Sequence, residues 1–428
     1  MGIRHGSPAA FLLTGFGWLA LSSILGLAVL FGMVLGTPLP AWVRSVHVHA
    51  ALVGGAAQMI LGGFLAMVSP SWSAGASSQR AHPSAFWAIN GGTAALSAGF
   101  WLRQNEIVSA AGLLVLFACA WTARAVWIAA KQSPPSIPNR LFYAGAFLAL
   151  FGGVACGEAL SASLVHEFYG YVRLAHIHLG LLGFVTLVIV GAIHTIIPQV
   201  FRLPLASPRL TQTVLVTLPL GMATLIAGFL NSSVSIELAG GGVMLAGGIL
   251  YATHLFRTWM SSAHNGNAAS DHLLIGTFFF LLTLALGILV GINSLSNPPT
   301  IPYGTLHLVA YTHMALLGFV VNTAMGILSY LVPLLLSAAR VSSNKKRGPY
   351  HERLSALLDR WRALQVGGLS LGTMALGAVA SLTWSVPLTS ISIRVATWAC
   401  VALLLGSILL FSAKLVMAFG HPPDHTSQ

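Results

Sequence analysis

The chain has 428 residues, of which 56% are hydrophobic and only 7% charged, with a mean hydropathy of +0.84; this excludes a soluble domain of ordinary composition. Its formal charge of +12 does not mark a nucleic-acid partner, because the basic residues lie between apolar runs and form no stripe with interleaved aromatics. The solvent that fits this composition is lipid.

Apolar stretches long enough to cross a bilayer core of roughly 30 Å occur over residues 9–36, 43–68, 84–102, 107–130, 141–163, 172–200, 211–231, 235–258, 273–296, 303–337, 362–384 and 391–419. They predict an all-α, polytopic integral membrane protein of about twelve transmembrane helices. Lipid cannot satisfy exposed backbone groups, and the runs lack the alternation of a barrel strand. The first run follows Arg4, is longer than a signal-peptide core and lacks a small-residue cleavage site, so it reads as a retained helix. Cys119, Cys156 and Cys400 fall inside apolar runs with no metal-ligand spacing and read as packing residues. If the helices alternate, only Arg44, Arg103, Arg173 and Arg394 face the side opposite the N-terminus, leaving the other sixteen of the twenty Lys and Arg on the N-terminal side. That side is therefore expected to be cytoplasmic, with both termini and a long basic loop over 342–362.

A repeat runs through the spans. HVHAALVGGAAQMILGGFLAMVSP (His47 to Pro70), HIHLGLLGFVTLVIVGAIHTIIP (His176 to Pro198) and YTHMALLGFVVNTAMGILSYLVP (Tyr311 to Pro333) open the second, sixth and tenth spans, about 130 residues apart. From the first position, glycine recurs fifteen residues on (Gly62, Gly191, Gly326) and a proline ends each copy. The third copy has Tyr311 where the others have histidine, retains His313, and adds His307 one turn earlier. The pattern predicts one membrane domain over 1–428 built from three pseudo-repeated four-helix units, roughly 1–131, 132–260 and 261–428.

Residues two apart on a helix point about 200° from one another. His47 and His49, or His176 and His178, therefore cannot chelate one ion together but can serve two sites on opposite helix faces. His307 and Tyr311 share a face. Intramembrane histidines at matched depth on three helices point to metal or haem ligation, since imidazole is a common axial ligand of haem iron. Arg44 and Arg173, each three residues before the first histidine, fit either haem propionates or interfacial snorkelling.

These residues resemble the central subunit of the haem-copper oxidase superfamily, which includes terminal oxidases and nitric oxide reductases. That family has twelve helices in three arcs, and its second helix carries a histidine fifteen residues before a Gly-Gly pair, with a proline following, as do His47, Gly62, Gly63 and Pro70 here. The resemblance implies that His47 and His313 are the axial ligands of a low-spin b-type haem. It also puts Tyr311 where the family has the ligand of a reactive haem. The family's seventh helix supplies a His-His pair to copper, whereas 211–231 contains no histidine. A second centre is expected around His176, His178, His307 and Tyr311, with His49 as a further ligand, Tyr311 and His307 as catalytic residues, and a second haem or copper as occupant. NnrS-like haem-copper proteins of nitric oxide metabolism share an H-x-H opening and are the alternative family.

Glu158, inside the fifth span, fits either a proton relay or a protonated carboxyl bonded to a neighbouring helix. His194 and His254 lie deeper, as relay or core residues. The expected function is a redox protein of a prokaryotic plasma (inner) membrane, taking electrons from a cytochrome or quinol, in company with other respiratory subunits, and passing them to oxygen or nitric oxide. The alternatives are a non-catalytic haem protein and a metal or proton transporter with a histidine relay. No CxxCH occurs, so covalent haem is not expected.

Overall fold

In the computed structural model of the chain, the described residues are 4–67, 82–131, 137–262, 266–296, 305–383 and 385–423, without the side chains of 129, 130, 137, 138 and 305–308. All the secondary structure among them is helical. The helices are α1 (Pro8–Val34), α2 (Ala41–Met67), α3 (Pro83–Leu102), α4 (Asn105–Ala130), α5 (Ile137–Ser161), α6 (Tyr169–Phe201), α7 (Pro208–Leu230), α8 (Val234–Met260) and α9 (Ala268–Ser294). Helix α10 follows in three joined segments, Thr305–His313, Met314–Val321 and Asn322–Arg340, and then come α11 (Asn344–Asp359), α12 (Arg362–Leu382) and α13 (Ile391–Gly420). Eleven of the described helices are long and apolar enough to cross a membrane. The 20-residue α3, expected as the third span and carrying Asn90, Thr93 and Ser97, is outside that set. The protein is an all-helical, multi-pass membrane protein.

Three helices form the interior. In the most apolar stretch of α2, α6 and α10, 72%, 89% and 78% of residues are buried, against 56% or less in every other membrane-length helix. These are the helices that carry the histidine repeat. The glycine fifteen residues into each copy explains how a neighbour can lie against them. A Cβ on Gly62 would meet Phe11 Cβ of α1 at 2.7 Å; on Gly191, Tyr143 Cε1 of α5 at 2.8 Å; on Gly326, Leu273 Cγ of α9 at 3.0 Å. The missing side chain lets α1, α5 and α9 approach the backbones of α2, α6 and α10, the small-residue packing that holds helices together where lipid gives no hydrophobic drive.

Each inner helix also changes winding at the same place. Directly after His49, His178 and His313 the backbone widens into π-helix, over Ala50–Ala57, Leu179–Val185 and Met314–Val321, and then returns to α-helix. Such bulges concentrate at functional sites. They re-aim the histidine-bearing turn relative to the rest of the same helix.

The structure departs from the expected inner-side loop and from one unassigned histidine. Residues 344–359 form helix α11, whose Tyr350, Leu354 and Leu358 are buried. It is clamped by Arg340, which donates to Tyr350 Oη (3.0 Å) and to the carbonyls of Phe419 (2.6 Å) and His421 (2.8 Å). His272, one residue before the expected ninth span, is fully buried in the first turns of α9. Its Nδ1–H donates to Asn322 Oδ1 (2.8 Å), and Gln365 Nε2 donates to its Nε2 (2.7 Å). Lys414 Nζ in turn donates to Gln365 Oε1 (2.6 Å) and Leu358 O (3.0 Å). His272, Asn322, Gln365 and Lys414 thus partner one another, which makes their burial tolerable.

The close approach at Gly62 is testable. Gly62→Leu places atoms against Phe11 and the Pro8 carbonyl, an overpacking expected to cost about 1–3 kcal/mol. It should lower the melting temperature in detergent, whereas Gly63→Leu, at a glycine whose Cβ would meet nothing within 4 Å, should not.

Candidate functional site

The five repeat histidines with described side chains are held alike. His47 Nδ1 lies 2.7 Å from the Ser22 carbonyl of α1, and His176 Nδ1 lies 2.7 Å from the Gly153 carbonyl of α5. The second histidine of each copy turns back on its own helix: His49 Nδ1 to Ser45 O, His178 Nδ1 to Leu174 O and His313 Nδ1 to Val309 O, each at 2.8 Å. A carbonyl oxygen can only accept, so in the neutral ring Nδ1 carries the proton and Nε2 keeps its lone pair. This backbone anchoring of one ring nitrogen is how proteins orient imidazoles that ligate through the other.

The rings meet in pairs, each between two inner helices. His47 of α2 and His313 of α10 have ring centres 6.3 Å apart and planes 13° from parallel. His49 of α2 and His176 of α6 are also 6.3 Å apart, at 27°. His178 of α6 and Tyr311 of α10 are 6.5 Å apart at 26°, and here Tyr311 Oη and His178 Nε2 are within hydrogen-bond distance at 3.3 Å. The second position of each copy thus faces the first position of another, around a ring of three helices. The residues expected to form one second centre are divided: His176 sits with His49, while His178 sits with Tyr311. The His307 side chain and Pro70 lie outside the described residues.

A glycine of the outer helix lies beside the first position of each copy. A Cβ on Gly26 would meet His47 Cε1 at 2.6 Å, one on Gly157 would meet His176 Cε1 at 3.0 Å, and one on Gly287 would meet Tyr311 Cε2 at 3.2 Å. Gly26 and Gly157 each sit four residues after the carbonyl that anchors the ring, so one helix face supplies both the acceptor and the room. Sequence reasoning passed over these glycines; their recurrence in the helix before each histidine pair was the available signal.

An open, apolar-walled cleft leads to the His47–His313 pair. Leu19, Leu30, Leu316, Leu376 and Leu404 line it, with Arg44 and both histidines as its charged or titratable groups. Arg173 is exposed at the start of α6. Glu158 is directed away from the histidines to α4, where the Ser109 hydroxyl donates to its Oε2. Deeper, His194 stacks near Phe142 and faces His254 at 5.6 Å, with Nε2 of His194 and Nδ1 of His254 buried and lacking a hydrogen-bond partner. Among the described residues, no three His, Cys, Asp or Glu converge as a metal-ion site.

No family model and no curated protein matches the sequence. Among solved structures, the chain superimposes on a haem-copper terminal oxidase, determined as a dimer by cryo-EM, with a TM-score of 0.67. The match covers 98% of this chain and 86% of that one at 13% sequence identity. The likeness is one of fold.

The third pair offers a local test. Tyr311→Phe removes only the hydroxyl that meets His178, and is expected to lower stability by about 1 kcal/mol with helix content unchanged, as read by circular dichroism melting in detergent. An unchanged melt would mean that the 3.3 Å contact contributes nothing.

Proposed function

We propose that the chain is a haem-binding electron-transfer protein of the membrane, with a b-type haem held between α2 and α10 by His47 and His313. The observation that carries this reading is the near-parallel pair of imidazoles with centres 6.3 Å apart. A metal bound end-on by two imidazoles sits about 2 Å from each nitrogen, which puts the ring centres about 6 Å apart. Two protein ligands make an incomplete cage for a bare ion of the usual coordination number, but they are the full protein share of a haem iron. The donor set, the cleft and its apolar walls therefore fit the group.

The residues divide the work. The Ser22 and Val309 carbonyls hold the two rings with Nε2 free. The leucines of the cleft exclude water and favour a flat apolar macrocycle, and Arg44 at the cleft is placed to pair with propionates. Haem held there by His47 and His313 would supply one-electron redox chemistry and would leave no position for a small oxidant. The protein on this reading is a single domain of three four-helix units in a prokaryotic inner membrane, with both termini cytoplasmic. A cytochrome or quinol would be its donor and other respiratory subunits its company. A second reading draws on the oxidase-like fold: Tyr311 and His307 would then hold a reactive centre that reduces oxygen or nitric oxide, with Glu158 as a proton relay.

A reduced-minus-oxidised spectrum of the purified protein tests both. The electron-transfer reading expects a low-spin b-type signal, loss of its His47–His313 component in His47→Ala and in His313→Ala, and no change on adding carbon monoxide to the reduced protein. A carbon monoxide shift would favour the reactive centre. A colourless protein would overturn both readings and leave a histidine relay for transport.

A further inference from the structure

The pair His49–His176 matches the pair His47–His313 in separation, tilt and mode of anchoring. The ring centres are 6.3 Å apart in both. In each pair one ring is anchored through Nδ1 to a carbonyl of the preceding outer helix at 2.7 Å, Ser22 for His47 and Gly153 for His176. The other ring is anchored to its own helix at 2.8 Å, Val309 for His313 and Ser45 for His49. A glycine lies under the first ring of each, Gly26 and Gly157, and an exposed arginine precedes that ring by three residues, Arg44 and Arg173.

The third pair shows what happens when nothing is to be held between the rings. Tyr311 and His178 have almost the same separation, yet the hydroxyl reaches Nε2 and the two satisfy each other. In both histidine pairs, no hydrogen bond joins the two imidazoles, and no described residue bonds to any of the four Nε2 atoms. A neutral imidazole with its proton committed to a carbonyl keeps only the Nε2 lone pair to offer a ligand. Four such lone pairs without a donor, in two ring pairs of one separation, suit a Lewis acid shared within each pair.

From this matching geometry, we propose that the chain holds a second bis-histidine haem between α2 and α6, with His49 and His176 as its axial ligands. The proposal rests on the haem reading of His47 and His313 and extends it to a two-haem protein. His47 and His49 project to opposite sides of α2, so that helix is the wall between the two sites, and Phe100 of α3 packs 4.6 Å from the His49 ring to close the second.

The test is the haem-to-protein ratio by pyridine haemochrome, with bound copper measured on the same samples. Two haems per wild-type chain are expected. His49→Ala and His176→Ala should each halve that ratio, as should His47→Ala and His313→Ala, and the double variant His47→Ala/His49→Ala should hold none. His176→Met keeps a ligand and guards against a variant that fails to fold: it should retain two haems and raise the midpoint potential of one component only, as methionine ligation does. One haem per wild-type chain, removed by His47→Ala but untouched by His49→Ala, would overturn the second site and leave the first. Two unshifted components in His176→Met, or copper rather than haem lost with His49, would also overturn it. A wild-type protein without haem would remove the first reading and this one with it.

Discussion

An imidazole placed in the interior of a lipid-embedded bundle must put its N–H on an acceptor, because no water is there to take it. In this chain the acceptor is a backbone carbonyl for every repeat histidine with a described side chain, taken from the preceding outer helix or from four residues earlier on the same one. That one interaction sets the tautomer, the ring orientation and the atom left for a ligand. Rings locked in this way then pair between α2, α6 and α10, with Nε2 as the nitrogen left free.

The surrounding packing serves the same end. Gly62, Gly191 and Gly326 draw an outer helix against each inner one, and Gly26 and Gly157 keep that helix clear of the imidazole it anchors. The π-helical turns begin one residue beyond the second histidine of each copy, so the histidine-bearing turn is aimed independently of the rest of the helix. Close approach below and re-aiming above are both needed for rings on separate helices to come within about 6 Å of each other, the span that suits a shared iron.

The likeness to a haem-copper terminal oxidase places this arrangement on a scaffold known in that protein for oxygen chemistry, but a fold hosts many functions and the site must be argued from its own residues. Here the third position of the ring of helices carries Tyr311, bonded to His178, where the other two carry imidazole pairs.

The sequence by itself determined the membrane class, the positions of the spans and the histidine repeat. Span lengths were legible because a bilayer demands about 20 apolar residues whatever the neighbours do, so the sixth helix, expected over 172–200, runs Tyr169–Phe201. That His47 and His313 come together was an expectation of the family resemblance, and the structure sets their rings 6.3 Å apart. Which histidine faces which was decided only in three dimensions: His176 meets His49 rather than His178 and Tyr311, because partners across a bundle depend on the rotation of each helix about its axis. That rotation is set by glycine contacts between helices and by π-turns that break the 3.6-residue period, neither of which a one-dimensional pattern of apolar and polar residues records.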